Sequence, residues 1–247
     1  TDIDDKIIQR AAENNQTCDT LTQTFIDAMH QDCKSLGVSA PTHEPKATDY
    51  IKKMIVLIQK LIEQDAAYVT SSGDVCFRIK SFKKYGALSN RNVDEMRSGA
   101  RVSVQEEKED PLDFILWKHA KPQEPSWPSP WGNGRPGWHI ECTAMATDLL
   151  GHEIDIHGGG IDLKFPHHEN EIAQAESAYK KNFVRHWMHV GHIQVNQKKM
   201  SKSLGNFFTI RDVLKQYHPE VIRYFMLMRH YRSPLDYSQV LLDEAKH

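Results

Sequence analysis

The sequence predicts an α/β fold with an antiparallel piece inserted near its middle. Three observations carry that prediction. Apolar residues recur at helical spacing through most of the first 66 positions. The period then shortens to that of strands flanking a Ser-Ser-Gly-Asp turn. From residue 113 onward short strand-like runs alternate with helical ones, the pattern of a sheet covered by helices.

Taken in order, Asn15-Gln16-Thr17 can open a helix whose apolar face is Leu21, Phe25, Ile26, Met29, Cys33 and Leu36. Pro41 to Pro45 interrupts it, and Ile51, Met54, Ile55, Ile58 and Leu61 then mark a second amphipathic helix. Ala67-Tyr68-Val69, the turn at 71–74 and Val75 to Ile79 read as a β-hairpin. Residues 80–110 are polar and expected to be irregular, with 106–110 a solvated charge run. Asp113 to Trp117 reads as a strand, and the proline-dense stretch 122–137 as a long loop. Ile140 to Leu150 is expected to be helical. Ile154 to His157 reads as a strand running into Gly158-Gly159-Gly160, a loop where backbone can approach a ligand closely. Pro166 at a first helical position opens a helix through Tyr179. His186 to Val195 alternates as a strand, and the chain is expected to be helical again from Thr209.

Composition narrows the function. Hydrophobic residues at 39% and charged residues at 26% exclude a disordered or fibrous chain. Thirty-one basic against 33 acidic residues exclude attachment to nucleic acid by bulk charge, leaving room for a local basic patch. No apolar run approaches the roughly 18–20 residues of a membrane helix, and no signal peptide opens the chain. The four cysteines are far apart with no CxxC, which fits a reducing compartment with thiols free or on a metal. Cys18, Cys33 and Cys76 are read as small buried hydrophobes. The chain starts at Thr1 without an initiator Met and is expected to be a piece of a longer protein.

Two constellations carry chemistry. Lys199-Met200-Ser201-Lys202-Ser203-Leu204-Gly205-Asn206 places two ammonium groups three residues apart beside two hydroxyls. Ammonium groups on flexible stems suit a polyphosphate whose charge moves during reaction; on charge alone a solvated basic loop is the commoner reading. Cys142, His167 and Glu171 are all zinc-ligand types, and the last two stand four apart on one helical face. The plainer alternative is a polar helix start at 167–171 and a buried structural thiol at Cys142.

The first string resembles the KMSKS signature of class I aminoacyl-tRNA synthetases. Gly137-Trp138-His139-Ile140-Glu141-Cys142, Asp155 to Gly160 and Phe165 to Glu171 resemble the cysteinyl-tRNA synthetases within that class. The similarity runs from Thr1-Asp2-Ile3-Asp4-Asp5-Lys6, through Gly132-Arg135-Pro136, to His230-Tyr231-Arg232-Ser233. The resemblance implies a Rossmann-like catalytic domain with an inserted connective segment and a helical stem-contact region. The expected bounds are 1–50 for the end of the first catalytic half, 51–135 for the insert, 136–198 for the second half and 199–247 for the KMSKS loop and start of the stem-contact region. It implies activation of cysteine by ATP with Mg²⁺ and transfer to tRNA(Cys), by a cytoplasmic, monomeric enzyme.

By the same resemblance, Lys199 and Lys202 act on ATP with Ser201 and Ser203 in support. Cys142, His167 and Glu171 hold one Zn²⁺, with a fourth ligand expected before Thr1. Zinc binding of the substrate thiolate would reject serine without an editing site. Trp138 and His157 line the substrate pocket, Asp162 faces the substrate ammonium, and Thr1 lies near the amino-acid site. His168 and Glu169 are expected to be supporting or solvent-facing residues. His189-Val190-Gly191-His192 has the letters of a second class I motif but stands only seven residues before Lys199 and is read as strand. That motif is expected before Thr1, and an anticodon-reading helical domain after His247. Two other functions stay open: a cysteine ligase acting on an amino sugar, and a non-catalytic zinc-bearing paralogue.

Overall fold

The computed structural model describes residues 1–99, 107–122, 124–201 and 204–246. The first half holds α1 (Asp5–Glu13), α2 (Cys18–Ser35), α3 (Ile51–Glu63), β1 (Ala67–Val69), β2 (Val75–Phe77), α4 (Val93–Gly99) and β3 (Phe114–His119). Then come β4 (Gly134–Pro136), α5 (Trp138–Leu150), β5 (Ile154–Gly160), α6 (His167–Tyr179), β6 (Val184–Val190) and β7 (Ile193–Val195). The last elements are β8 (Lys198–Lys199), α7 (Ile210–Val213), α8 (Pro219–Leu227), β9 (Leu235–Asp236) and α9 (Gln239–Lys246). Two compact units divide them: Thr1–Cys18 with Pro45–His157 and Leu163–Trp187, and Asp19–Glu44 with Gly158–Asp162 and Met188–His247.

In the first unit α3 is amphipathic at helical spacing, and Ile51, Met54, Leu57, Ile58 and Leu61 are all buried. They pack with Val75, Phe77, Leu116 and Trp117 of an antiparallel sheet, and with Ile140 of α5 and Ala173 of α6. Burying each large apolar side chain contributes roughly 1.5–3 kcal/mol. The sheet order is β1-β2-β3-β4. Ala67 stands opposite Phe77, and Trp117 opposite Pro136. A register shift between Val75 and Cys76 re-aims β2, so that Val75 meets Trp117 while Cys76 meets Ile115. In the second unit Ile222, Phe225, Leu235 and Leu242 form a separate core under α8 and α9. Its three-stranded sheet has the order β8-β7-β9, and β7 pairs with β9 in parallel.

Several elements depart from the local pattern. The stretch 80–110 contains α4, and the proline-dense 122–137 contains β4, which exists through its ladder with β3. Gly158 to Gly160 continue β5 instead of forming a loop. Pro166 is the N-cap of α6 and not its first helical residue, so the helix starts one residue later than expected. The segment after Thr209 is not wholly helical, because β9 is held by pairing with β7. On α2 only Leu21 is buried, while Phe25 and Met29 are 46% and 47% exposed. Arg211 instead holds Asp32 of that helix at 2.9 Å, and Arg223 donates to the Leu36 carbonyl beyond its end. Cys76 is buried as expected, but Cys18 and Cys33 are only partly so. Among the described residues no helix is long and apolar enough to cross a membrane.

The start of α5 is fixed by close backbone approach. Gly137 N–H donates to the Leu116 carbonyl at 2.9 Å, and a Cβ on Gly137 would stand 2.1 Å from the Ile115 carbonyl oxygen. Gly137→Ala is expected to force β3 and α5 apart and cost about 1–3 kcal/mol of unfolding free energy. A urea titration within 0.5 kcal/mol of the parent would contradict that close approach.

Candidate metal and nucleotide sites

The metal candidate is assembled on α5 and α6, which pack against each other in the first unit. Cys142 stands one turn into α5. His167 and Glu171 stand one turn apart on α6, so both side chains leave the same face. One donor atom from each of the three lies within 4.8 Å of the others. His167 and Glu171 are buried, and His167 Nε2 lies 3.0 Å from Glu171 Oε1. Neither carboxylate oxygen of Glu171 makes a hydrogen bond.

A buried carboxylate without hydrogen bonds costs several kcal/mol unless a cation compensates it. A divalent ion among thiolate, imidazole and carboxylate would do so, and this donor set suits zinc. The residues therefore fit a metal. With only protein groups around it, burial, aided by the charges of Glu171 and Glu141, pushes the Cys142 thiol up to about 12. A bound cation is what makes such a thiol ionise near neutrality.

The surroundings contain two groups that sequence reasoning missed. His139 Nδ1 lies 2.8 Å from His167 Nδ1, and burial, with His167 adding to it, lowers the His139 pKa to about 3. A neutral His139 can accept the His167 Nδ1–H, which leaves His167 Nε2 unprotonated and able to ligate. Glu141 is also buried, and that burial pushes its carboxyl up to about 8 despite the Thr1 side chain beside it. Only their neighbourhood to Cys142 in the sequence could have flagged either one.

The predicted pocket residues are placed as follows. Trp138 opens α5, is 49% exposed and lays its ring over His167 with centroids 4.5 Å apart. His157, on β5, packs against His168 and Trp187, each at 4.8 Å between centroids. The hydroxyl of Thr1 donates to the Ile3 carbonyl at 2.9 Å. A cleft of about 430 Å³ opens beside this face, lined in part by Asp4, Lys118, Arg135, Trp138, His139 and Glu141. His168 and Glu169 are not solvent-facing; both are buried.

The second unit carries the lysine-serine loop. Its first arm is β8, which pairs with β7 so that Lys199 stands opposite Gln194. Asn206 clasps the loop, accepting from Ser201 N–H at 2.9 Å and donating to the Lys199 carbonyl at 3.3 Å. Gly205 makes the return with φ +64°. Lys199 Nζ donates to Asp162 at 2.8 Å, and that hydrogen bond holds the Asp162 carboxyl below its ordinary range. Lys202 and Ser203 lie outside the described residues. His189 and Val190 end β6, and Gly191 N–H donates to the Tyr231 carbonyl at 2.8 Å, a backbone-packing role.

An α/β chain with this fold and a Lys-Met-Ser-Lys-Ser loop belongs to a defined class. The chain is a member of the family described as tRNA synthetases class I (C) catalytic domain, matched over residues 1–247. Among curated relatives it is 60% identical over 246 residues to the cysteine–tRNA ligase of Halorhodospira halophila, covering 100% of this chain and 54% of that protein. It is equally 60% identical over 248 residues to the cysteine–tRNA ligase of Acinetobacter baumannii strain AYE, covering 52% of that protein. The chain spans about half the length of the curated relatives it matches. Among solved structures, Mycobacterium tuberculosis methionyl-tRNA synthetase in complex with methionyl-adenylate has a TM-score of 0.69 at 16% identity. That match covers 97% of this chain and 57% of that one. A putative arginyl-tRNA synthetase from Campylobacter jejuni has a TM-score of 0.56 at 13% identity over 93% of this chain and 42% of that one. These two likenesses bear on the fold.

Proposed function

We propose that this chain is the catalytic core of a cysteine–tRNA ligase, which forms cysteinyl-adenylate from cysteine and Mg²⁺–ATP and transfers cysteine to the 3′ end of tRNA(Cys). The observation that carries the reading is the buried Glu171 carboxylate, without hydrogen bonds, beside Cys142 and His167. Cys142, His167 and Glu171 would hold zinc. Bound zinc supplies a soft Lewis acid that takes a thiolate in preference to a hydroxyl.

The chain's own residues do the remaining work. His139 orients the His167 ring. Trp138 and His157 wall the amino-acid pocket, Thr1 borders it, and Asp162 receives the substrate ammonium. Lys199 and Lys202, helped by Ser201 and Ser203, hold the triphosphate as charge shifts toward pyrophosphate. In that role Lys199 exchanges Asp162 for phosphate. Residues 1–50 and 136–198 would be the two catalytic halves, 51–135 the connective insert, and 199–247 the loop and the start of the stem-contact region. The site of action would be the cytoplasm and the working form a monomer.

The test is amino-acid-dependent ATP–pyrophosphate exchange by the native-length protein over a panel that includes serine. Exchange with cysteine and not with serine is expected; no exchange with any amino acid would sink the reading. His139→Ala, which removes the acceptor for His167 Nδ1–H, is expected to weaken zinc binding about 10–100-fold in chelator competition. Unchanged affinity would show that His139 does not orient the ligand.

A further inference from the structure

The Glu171 carboxylate lies within reach of two different sets of donors. Oε1 lies 3.0 Å from His167 Nε2, and one donor atom each from Cys142, His167 and Glu171 lies within 4.8 Å of the others. Oε2 lies 3.6 Å from His157 Nε2, and one donor atom each from His157, His168 and Glu171 lies within 4.8 Å of the others. A metal ligated through Oε1 therefore leaves Oε2 buried, outside any hydrogen bond and directed at a second group of imidazoles. We propose that His157, His168 and Glu171 form a second divalent-metal site, with Glu171 bridging it to the site of Cys142 and His167.

The chemistry of the donors decides what it takes. Two imidazoles and one carboxylate suit zinc, cobalt or nickel and disfavour magnesium and calcium, which seek oxygen. Three protein donors leave coordination positions open. The set has no thiolate, so it binds zinc more weakly than the first site and fills when zinc is in excess. Carboxylate bridges between paired divalent ions are a general device of two-metal centres. The way in is past His157, whose side chain is 17% exposed, whereas His168 is closed off at 1%. Trp187 walls the other side, with its ring 4.8 Å from that of His157 and 4.9 Å from that of His168. Occupation would remove His157 from the amino-acid pocket, making excess zinc an inhibitor.

The bridge rests on the metal reading of Cys142, His167 and Glu171, and the experiment separates the two. Native-length protein holding one equivalent of zinc is titrated with Co²⁺, following bound metal and the visible and near-ultraviolet spectrum. A second equivalent is expected, with ligand-field bands but no thiolate-to-cobalt band, while zinc stays at one per chain. His157→Ala, and the milder His157→Gln, should lose that equivalent and keep the first. Cys142→Ser should lose the first and keep the cobalt site. One equivalent at every cobalt concentration, or a second one that survives both His157 variants, overturns the proposal. A parent that never shows a thiolate band on full cobalt loading, yet has a cobalt site lost on His157→Ala, would overturn the first metal reading and leave this three-residue site standing.

Discussion

Glu171→Gln is expected to lower zinc affinity by about 10²–10³-fold. Structural zinc sites bind with roughly 10–16 kcal/mol over four ligands, so one ligand carries on the order of 3 kcal/mol. An amide oxygen can replace the carboxylate sterically but supplies no charge to offset that of the ion. The same exchange should act differently on the metal-free chain. There the Glu171 carboxylate is buried with neither oxygen hydrogen-bonded. Removing its charge then relieves a burial that no hydrogen bond offsets, and the metal-free variant should unfold at the same urea concentration as the metal-free parent or a higher one. Chelator competition and urea titration with and without zinc measure both effects. A variant that binds zinc as tightly as the parent would remove Glu171 from the ligand set.

The second large effect is structural. Glu169→Ala should cost about 3–5 kcal/mol of unfolding free energy. The Glu169 carboxylate is buried and accepts from three backbone N–H groups: Gly86 at 2.9 Å, Leu88 at 3.4 Å and Ser89 at 2.9 Å. Each donor left unpaired by truncation costs about 1–3 kcal/mol. The loop cannot easily turn to find other partners. Gly86 has φ +93°, and a Cβ there would stand 2.2 Å from the Arg91 carbonyl oxygen. Tyr85 beside it donates its hydroxyl to Asn170, the next residue of α6. Glu169→Gln retains one acceptor oxygen and should lose roughly half as much. Urea titration decides it: a Glu169→Ala variant within about 0.5 kcal/mol of the parent would show that these bonds contribute little.

Much of the fold was legible because it depends on neighbours a few positions away. The apolar stripe of α3, the hairpin of β1 and β2, and the helices α5 and α6 follow from periodicity and turn residues. The grouping of Cys142, His167 and Glu171 came from ligand type and resemblance, and the fold gathers their donor atoms within 4.8 Å. The strands β4 and β9, three and two residues long, have no period of their own and form only against β3 and β7.

The polar run from His167 to Glu171 marks the boundary between the two kinds of information. Its sequence suits an exposed helix start as well as a site, yet all five residues are buried. What hides them is α5 on one side and the loop 85–89 on another, whose amides reach Glu169 across more than 79 positions. Likewise Lys199 meets Asp162 37 positions away, and the pairing of His139 with His167 spans 28. The sequence by itself determined helix faces, turn positions and the kinds of chemistry available, since these rest on local stereochemistry and side-chain type. Only the tertiary structure decided which donor meets which acceptor and which charge is buried, because hydrogen bonds and desolvation depend on distances that packing alone sets.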